Sequence, residues 1–157
     1  MAHSIELLLD ARADTAIRRI ASHTHRPHIT LVAAERIAPD VDSLLGELGD
    51  WFPLPAVLGA PLVFGGARLT LARLVVPSAE LLALHKQVYD LCQPFVSTVF
   101  AHCAPGQWTP HVTLGRRFTP AEIGEALAVE GIATDIKANT VGLRRWDGDA
   151  KREYLIS

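Results

Sequence analysis

The chain of 157 residues has few cysteines, few aromatic residues and no long apolar run. Its two cysteines, Cys92 and Cys103, form no C-x-x-C pair and predict no disulfide framework. No apolar run approaches the ~20 residues of a membrane-spanning helix, and the first residues lack the basic and apolar regions of a signal peptide. We therefore expect a cytoplasmic protein that acts without a membrane and without an obligate protein partner.

Several common catalytic signatures are also missing. The sequence contains no G-x-G-x-x-G, no Walker loop, no G-x-S-x-G elbow and no H-E-x-x-H. Its net charge is only −2, whereas a protein that coats long nucleic acid is usually basic. A nucleotide or an RNA end remains possible as a ligand, because it requires only local positive charge.

The rest of the composition is that of a globular protein, with 49% hydrophobic and 20% charged residues. We expect one domain over residues 1–157. The patterns predict the order β-α-β-α-β-β followed by α-β-α-β-β, with a first strand at Ile5–Leu9 and a hairpin turn at Gly65-Gly66. Asp14, Ser78 and Thr119 are the expected helix N-caps.

A pentapeptide occurs twice in this order, once in each half. Pro-His-Ile-Thr-Leu at 27–31 returns as Pro-His-Val-Thr-Leu at 110–114, so that His28 and His111 are 83 residues apart. On a strand, positions i and i+2 share a face. Each copy should therefore place its histidine and its threonine, Thr30 or Thr113, on one side and bury its aliphatic residues on the other.

This combination suits the hydrolysis of a phosphodiester. One group must activate water and another must protonate the leaving oxygen, and histidine can do either near neutral pH. Threonine hydroxyls can hold the non-bridging phosphate oxygens as charge develops. The residues alone do not decide which histidine is the acid and which the base, and both histidines could instead be structural.

The two His-x-Thr motifs, half a chain apart, resemble those of the 2H phosphoesterase superfamily, and within it the 2′-5′ RNA ligase and RNA 2′,3′-cyclic phosphodiesterase branch. The resemblance implies an α+β fold of two pseudo-symmetric lobes of antiparallel sheet with flanking helices around a central cleft. It also implies hydrolysis of a 2′,3′-cyclic phosphate on a nucleotide or RNA end to a 2′-phosphate, with no cofactor or metal. By the same resemblance, His28 is the proton donor and His111 the acceptor.

Four further residues are possible substrate ligands. Arg116 follows the second motif where relatives often carry an arginine, but strict alternation puts it opposite His111 unless Gly115 bends the strand. Trp108 and Trp146 could stack a base, although buried tryptophans are commoner. His3 begins the first strand, which passes near the cleft in this fold. A solvent-exposed or structural role is the alternative for each.

Other functions remain open from the sequence. The substrate could be a 2′-5′ linkage in an oligonucleotide, or the cleft could bind nucleotides without turnover. The pair His23 and His25 suggests a metal site, but nearby carboxylates and thiolates are missing, which favours polar loop histidines. The link between the first helix and the first motif is shorter than in relatives, and this affects which substrate fits.

Overall fold

The computed structural model describes residues 1–23 and 25–156. The described strands are β1 (His3–Leu9), β2 (His28–Ile37), β3 (Leu54–Phe64), β4 (Leu69–Val75), β5 (Val96–Val99), β6 (His111–Phe118), β7 (Ile136–Asp147) and β8 (Arg152–Leu155). The α-helices are α1 (Ala11–Ile20), α2 (Val41–Gly46), α3 (Ala79–Cys92) and α4 (Pro120–Leu127). The predicted α+β class, with antiparallel strands and flanking helices, is confirmed.

The strands form one antiparallel sheet in the order β5-β2-β1-β7-β3-β4-β6, with β8 paired to β7. The central strand β7 thus joins a first half, β5-β2-β1, to a second half, β3-β4-β6. The motif strands β2 and β6 lie near opposite ends of this order, yet they contact each other. The sheet must therefore curve enough to bring its two ends together.

Local sequence signals explain most element boundaries. Ser78 caps α3 by accepting from the backbone of Leu81, and Thr119 forms a complete capping box with Glu122 at the start of α4. The predicted hairpin is confirmed, since β3 and β4 pair on either side of Gly65-Gly66. The turn uses the conformational freedom of glycine, because Gly66 has φ +136°.

Two expectations were wrong or incomplete. Asp10, rather than Asp14, caps α1, because it ends β1 with an extended backbone and accepts from the amide of Ala13. Asp14 lies one turn later and pairs with Arg18 at 2.6 Å. The short edge strand β5 was not predicted, since its four residues show no buried alternation.

The core lies between the sheet and its helices. Its members include the aliphatic residues of both motifs, and Ile29, Leu31 and Val112 are fully buried. Residues 1–23 and 25–156 include no helix that is both long and apolar enough to span a bilayer.

Candidate functional site

The polar residues of each motif share one face of their strand. His28 and Thr30 are half-buried while their neighbours are fully buried, and the same alternation holds for His111 and Thr113. The prediction from strand periodicity is therefore met in both copies. No other described residue hydrogen-bonds the hydroxyl of Thr30 or Thr113, so both hydroxyls remain available to a ligand.

The two motifs are tied together by reciprocal contacts. The indole of Trp108, just before the second motif, donates to the carbonyl of Thr30 at 2.9 Å. In return, the backbone N–H of Ser22, before the first motif, donates to the carbonyl of Leu114 at 2.8 Å. His23 Nε2 donates to the carbonyl of Thr113 at 3.2 Å. Each motif strand is thus held by the segment that leads into the other.

The two histidine rings are held in the same tautomer. Nδ1 of His28 lies 2.8 Å from the carbonyl oxygen of Arg26, and Nδ1 of His111 lies 2.7 Å from that of Thr109. A carbonyl oxygen can only accept, so Nδ1 carries the proton in both rings. In each neutral ring Nε2 is then an unprotonated nitrogen, and in each charged ring it is an N–H donor.

The surroundings of His111 favour its neutral form. Burial lowers the pKa of His111 most, and the positive charges of Arg116, His28 and His102 lower it further, against the hydrogen bond to Thr109. His111 also meets the edge of the Phe64 ring at a centroid distance of 4.6 Å. A neutral imidazole with a free Nε2 is suited to accept a proton.

A carboxylate lies beside the other histidine. Oε2 of Glu6, on β1, is 3.4 Å from Nε2 of His28, and the Glu6 side chain is buried. Oε1 of Glu6 accepts from Arg144 at 2.6 Å, and Oε2 accepts from the Ser4 hydroxyl at 2.6 Å. Glu6 was not predicted as a site residue. The signal was present, because Glu6 is the one charged residue inside the apolar run Ile5–Leu9.

This carboxylate belongs to a wider ionic network. Arg144 also binds Glu153 on β8, and Glu153 pairs with Arg26 at 3.2 Å. Although burial opposes it, the carboxylates of Glu6 and Glu153 raise the pKa of Arg144. The network therefore places fixed charges of both signs on the first-motif side of the site.

Arg116 lies in a locally distorted part of β6. Leu71 pairs with Gly115 and Ala72 with Thr113, which leaves Leu114 as the extra residue of a bulge. The bulge interrupts strict alternation next to Gly115, the residue at which the sequence predicts a bend if Arg116 is to reach the site. Arg116 is exposed, no ion pair joins it to another described residue, and its charge acts on both His111 and His23.

Two of the four further residues, His3 and Trp108, use their ring nitrogens in contacts within the protein. His3 is buried, accepts from the amide of Ile37 through Nδ1, and faces Asp149 and Asp147 through Nε2. His3 lies on β1 five residues before Leu8, the strand partner of His28, and five residues of extended strand span about 17 Å. The structure therefore places His3 away from the two motifs.

The tryptophans differ in position. Trp108 stacks on the buried ring of His85 at 3.9 Å while its N–H holds Thr30, so the structure gives it a clear structural role. Trp146 lies on β7 with the guanidinium of Arg144 5.5 Å from its ring centroid. Because Arg144 also holds Glu6, Trp146 flanks the network beside the first motif.

Among the residues that the structure describes, no group with metal-ligand geometry includes His23 or His25. His23 donates to Thr113 through Nε2 and accepts from the amide of His25 through Nδ1, so both ring nitrogens are used. The part of the chain that the structure describes does contain one group with metal-ligand geometry, whose atoms lie within 4.8 Å of one another: His3, Asp147 and Asp149. That group is remote from the two motifs.

The sequence matches the family model of the 2′-5′ RNA ligase superfamily over residues 8–150, a range that contains both motifs. The chain belongs to the 2′-5′ RNA ligase superfamily. The resemblance to 2H phosphoesterases drawn from the two motifs is thereby confirmed. No protein of curated function matches the sequence of this superfamily member.

Solved structures agree on the fold. Usb1 of Kluyveromyces marxianus is similar with a TM-score of 0.54 and 13% identity, over 99% of this chain and 97% of Usb1. A crystal structure of a phosphoesterase is similar with a TM-score of 0.54 and 17% identity, over 98% of this chain and 92% of the other. At these identities the likeness concerns the fold alone. The structural similarity covers nearly the whole of this chain.

Proposed function

We propose that this protein is a metal-independent phosphodiesterase that hydrolyses the 2′,3′-cyclic phosphate of a nucleotide or RNA end to a 2′-phosphate. The observation that carries the proposal is the matched pair of His28 and His111. Both rings are fixed in the same tautomer, and each is accompanied by an available threonine hydroxyl. Superfamily membership and the fold support phosphodiesterase activity in general.

The proposed reaction is a single in-line displacement at phosphorus. Neutral His111 takes a proton from water through Nε2 as the water oxygen forms its bond to phosphorus. The bond from phosphorus to the 3′ oxygen breaks, and the imidazolium of His28 donates its Nε2 proton to that oxygen. The products are a 2′-phosphate and a 3′-hydroxyl, with the proton returned to His28 from solvent or from His111. Two histidines supply both proton transfers, so no metal is needed to activate the water.

The phosphate itself is assigned to three groups. The hydroxyls of Thr30 and Thr113 donate to the non-bridging oxygens, where negative charge increases in the transition state. Arg116 supplies a positive charge on the second-motif side, where it has no competing carboxylate among the described residues. Its guanidinium can bind two phosphate oxygens at once.

The direction of proton transfer follows from the environments of the two rings. The lowered pKa of His111 keeps it neutral and able to accept a proton near neutral pH. His28 lies beside the Glu6 carboxylate, which interacts favourably with a charged ring. These environments favour His28 as donor and His111 as acceptor.

The decisive experiment is incubation of the purified protein with 2′,3′-cyclic nucleotides in excess chelator, with product identity read by ³¹P NMR. A 2′-phosphate product supports the proposal, and a 3′-phosphate would contradict the assigned leaving group. Binding without turnover would indicate a nucleotide-binding module. Turnover that the chelator abolishes would indicate a metal enzyme. Parallel assays with 2′-5′ and 3′-5′ linked oligonucleotides show whether a 2′-5′ linkage is the better substrate.

A further inference from the structure

On the face that carries the histidines and threonines, the strands beside the two motifs match at one position and differ in charge at the next. On β1, Leu8 pairs with His28, and on β4, Leu74 pairs with His111. Two residues along each motif, Thr30 pairs with Glu6 whereas Thr113 pairs with Ala72. The equivalent position thus carries a carboxylate beside the first motif and a buried methyl group beside the second.

The Glu6 carboxylate is placed to act through its charge and not as a base. At 3.4 Å, the separation from His28 Nε2 exceeds the usual length of an N–H···O hydrogen bond, so the ring proton is not committed to Glu6. Both carboxylate oxygens already accept hydrogen bonds, from Arg144 and from Ser4. These bonds fix the carboxylate in position beside His28.

Other charges around His28 do not supply the same effect. The titratable and charged groups near it are Glu6 on β1, His23 and Arg26 before β2, His111 on β6, and Arg144 on β7 behind Glu6. Glu153 on β8 is also acidic, but it pairs with Arg26 and Arg144, and no contact joins it to His28 among the described residues. Glu6 is therefore the carboxylate in contact with His28 that favours a positive charge on the ring.

We infer that Glu6 is a positioning residue that assigns the proton-donor role to His28, and that the absence of a carboxylate at Ala72 leaves His111 as the acceptor. The inference rests on the proposed function, because it explains why two similar histidines divide the acid and base roles. The burial of the carboxylate strengthens the effect, since the field of a fixed charge is poorly screened away from water. Glu6 acts through the ring of His28 and has no assigned contact with the substrate.

The test compares Glu6→Gln with Glu153→Gln. Glutamine at position 6 keeps the shape and a hydrogen bond to Arg144 but removes the charge next to His28. Glutamine at position 153 removes a carboxylate from the same network without changing the neighbour of His28. Each variant is characterised by the pH profile of kcat/KM on a 2′,3′-cyclic nucleotide and by NMR titration of the histidine ring resonances without substrate.

For Glu6→Gln we expect the alkaline limb of the profile to move to lower pH, because the ring of His28 loses a nearby opposite charge. The ring resonances of His28 should move in the same direction, and Glu153→Gln should leave both limbs in place. Equal profiles for Glu6→Gln and wild type, with unchanged resonances, would overturn the inference. So would an equal shift in Glu153→Gln.

The NMR titration separates this inference from the proposed function. If no phosphodiester is cleaved but the His28 resonances still respond to Glu6→Gln, the proposed function fails and the charge assignment stands. Should Glu6→Gln not fold, Glu6→Asp retains the charge and should keep a profile close to that of wild type.

Discussion

The side chains of His28 and His111 are held by the same hydrogen bond, from ring Nδ1 to the backbone carbonyl two residues earlier. This bond fixes the ring orientation and leaves Nε2 as the reactive nitrogen in both copies of the motif. The backbone therefore makes the two rings equivalent. Their surroundings make them different, because Glu6 lies beside one and Arg116 acts on the other.

Replacement of either histidine should remove most of the activity. His28→Ala lacks the proton donor and His111→Ala lacks the base, and general acid or base catalysis is worth about 10²–10⁴-fold. We expect kcat to fall by that factor in each variant, with less effect on KM. The fall should be measured on a 2′,3′-cyclic nucleotide near neutral pH.

The matched control is His25→Ala, which removes an exposed histidine close to the same turn and leaves its backbone amide in place for His23. Its activity should stay within about twofold of wild type, the ordinary spread for a surface change. A loss as large as that in His28→Ala would instead favour a metal site before β2.

The threonine hydroxyls should act in the transition state. Thr30→Val and Thr113→Val keep the shape and the strand preference of the side chain while removing the donor. Loss of one such donor to a developing charge should lower kcat by about 10²-fold with little change in KM. Thr→Ser at the same positions restores the hydroxyl and should recover most of the rate, so an inactive Ser variant would contradict this role.

Arg116→Ala should change two measurements at once. Loss of a charge-assisted bond to phosphate should lower kcat/KM by about 10–100-fold. Arg116 also lowers the pKa of His111, so its removal should raise that pKa and move the acid limb of the pH profile to higher pH.

Arg117→Ala is the control, since the neighbouring arginine is equally exposed and its loss changes the net charge by the same amount. It should leave the acid limb unchanged. A shift of equal size in both variants would show that only the overall charge matters.

The local pattern of the site could be predicted from the sequence, because strand periodicity alone decides that His28 and Thr30 share a face while Ile29 is buried. The same holds for the capping box at Thr119, whose residues are neighbours along the chain. Asp14 was misassigned as a cap because Asp10 and Asp14 offer the same side chain. Only the end of β1 selects between them.

Glu6 could not be placed because its role depends on register. It meets His28 only through the pairing of β1 with β2, where a bulge after Ile5 shifts the partner of Glu6 to Thr30. A shift of one residue would turn the carboxylate to the other face of the sheet. The contact between the two halves likewise depends on the curvature of the whole sheet, which no short stretch of sequence encodes.

Trp108→Phe should weaken the tie between the two motifs. Phenylalanine keeps an aromatic ring against His85 but cannot donate to the carbonyl of Thr30. We expect a loss of about 1–2 kcal/mol in the free energy of unfolding, from the lost hydrogen bond and the unpaired carbonyl. Urea denaturation gives this value, and Trp51→Phe is the control. No described residue hydrogen-bonds the Trp51 indole. An equal loss of stability in Trp51→Phe would therefore show that the smaller ring, and not the lost hydrogen bond, destabilises Trp108→Phe.

The fold should be less stable at about pH 5 than at about pH 8. Burial is the main cause that lowers the pKa of His23, of His85 and of His111 in the folded chain. In the unfolded chain each returns to about 6.5, so unfolding takes up protons in the interval between the folded and unfolded values. The contribution of these three histidines to the free energy of unfolding is complete above pH ~6.5. Below that pH it decreases by up to ~1.4 kcal/mol per pH unit for each proton taken up.

His85→Gln tests the contribution of a buried histidine outside the site. His85 is almost fully buried and its Nε2 lies 3.1 Å from the carbonyl of Leu31, a bond that a glutamine amide can replace without titrating. Urea unfolding at the two pH values should show a smaller loss of stability in His85→Gln than in wild type, whereas exposed His102→Gln should behave as wild type does. The bond to the Asn139 amide lowers the pKa of Asp10. The stabilisation from such carboxyl groups is lost only below about pH 4, so they do not change the stability between the two pH values compared here. An unchanged pH dependence in His85→Gln would mean that the buried ring is not a source of the acid sensitivity.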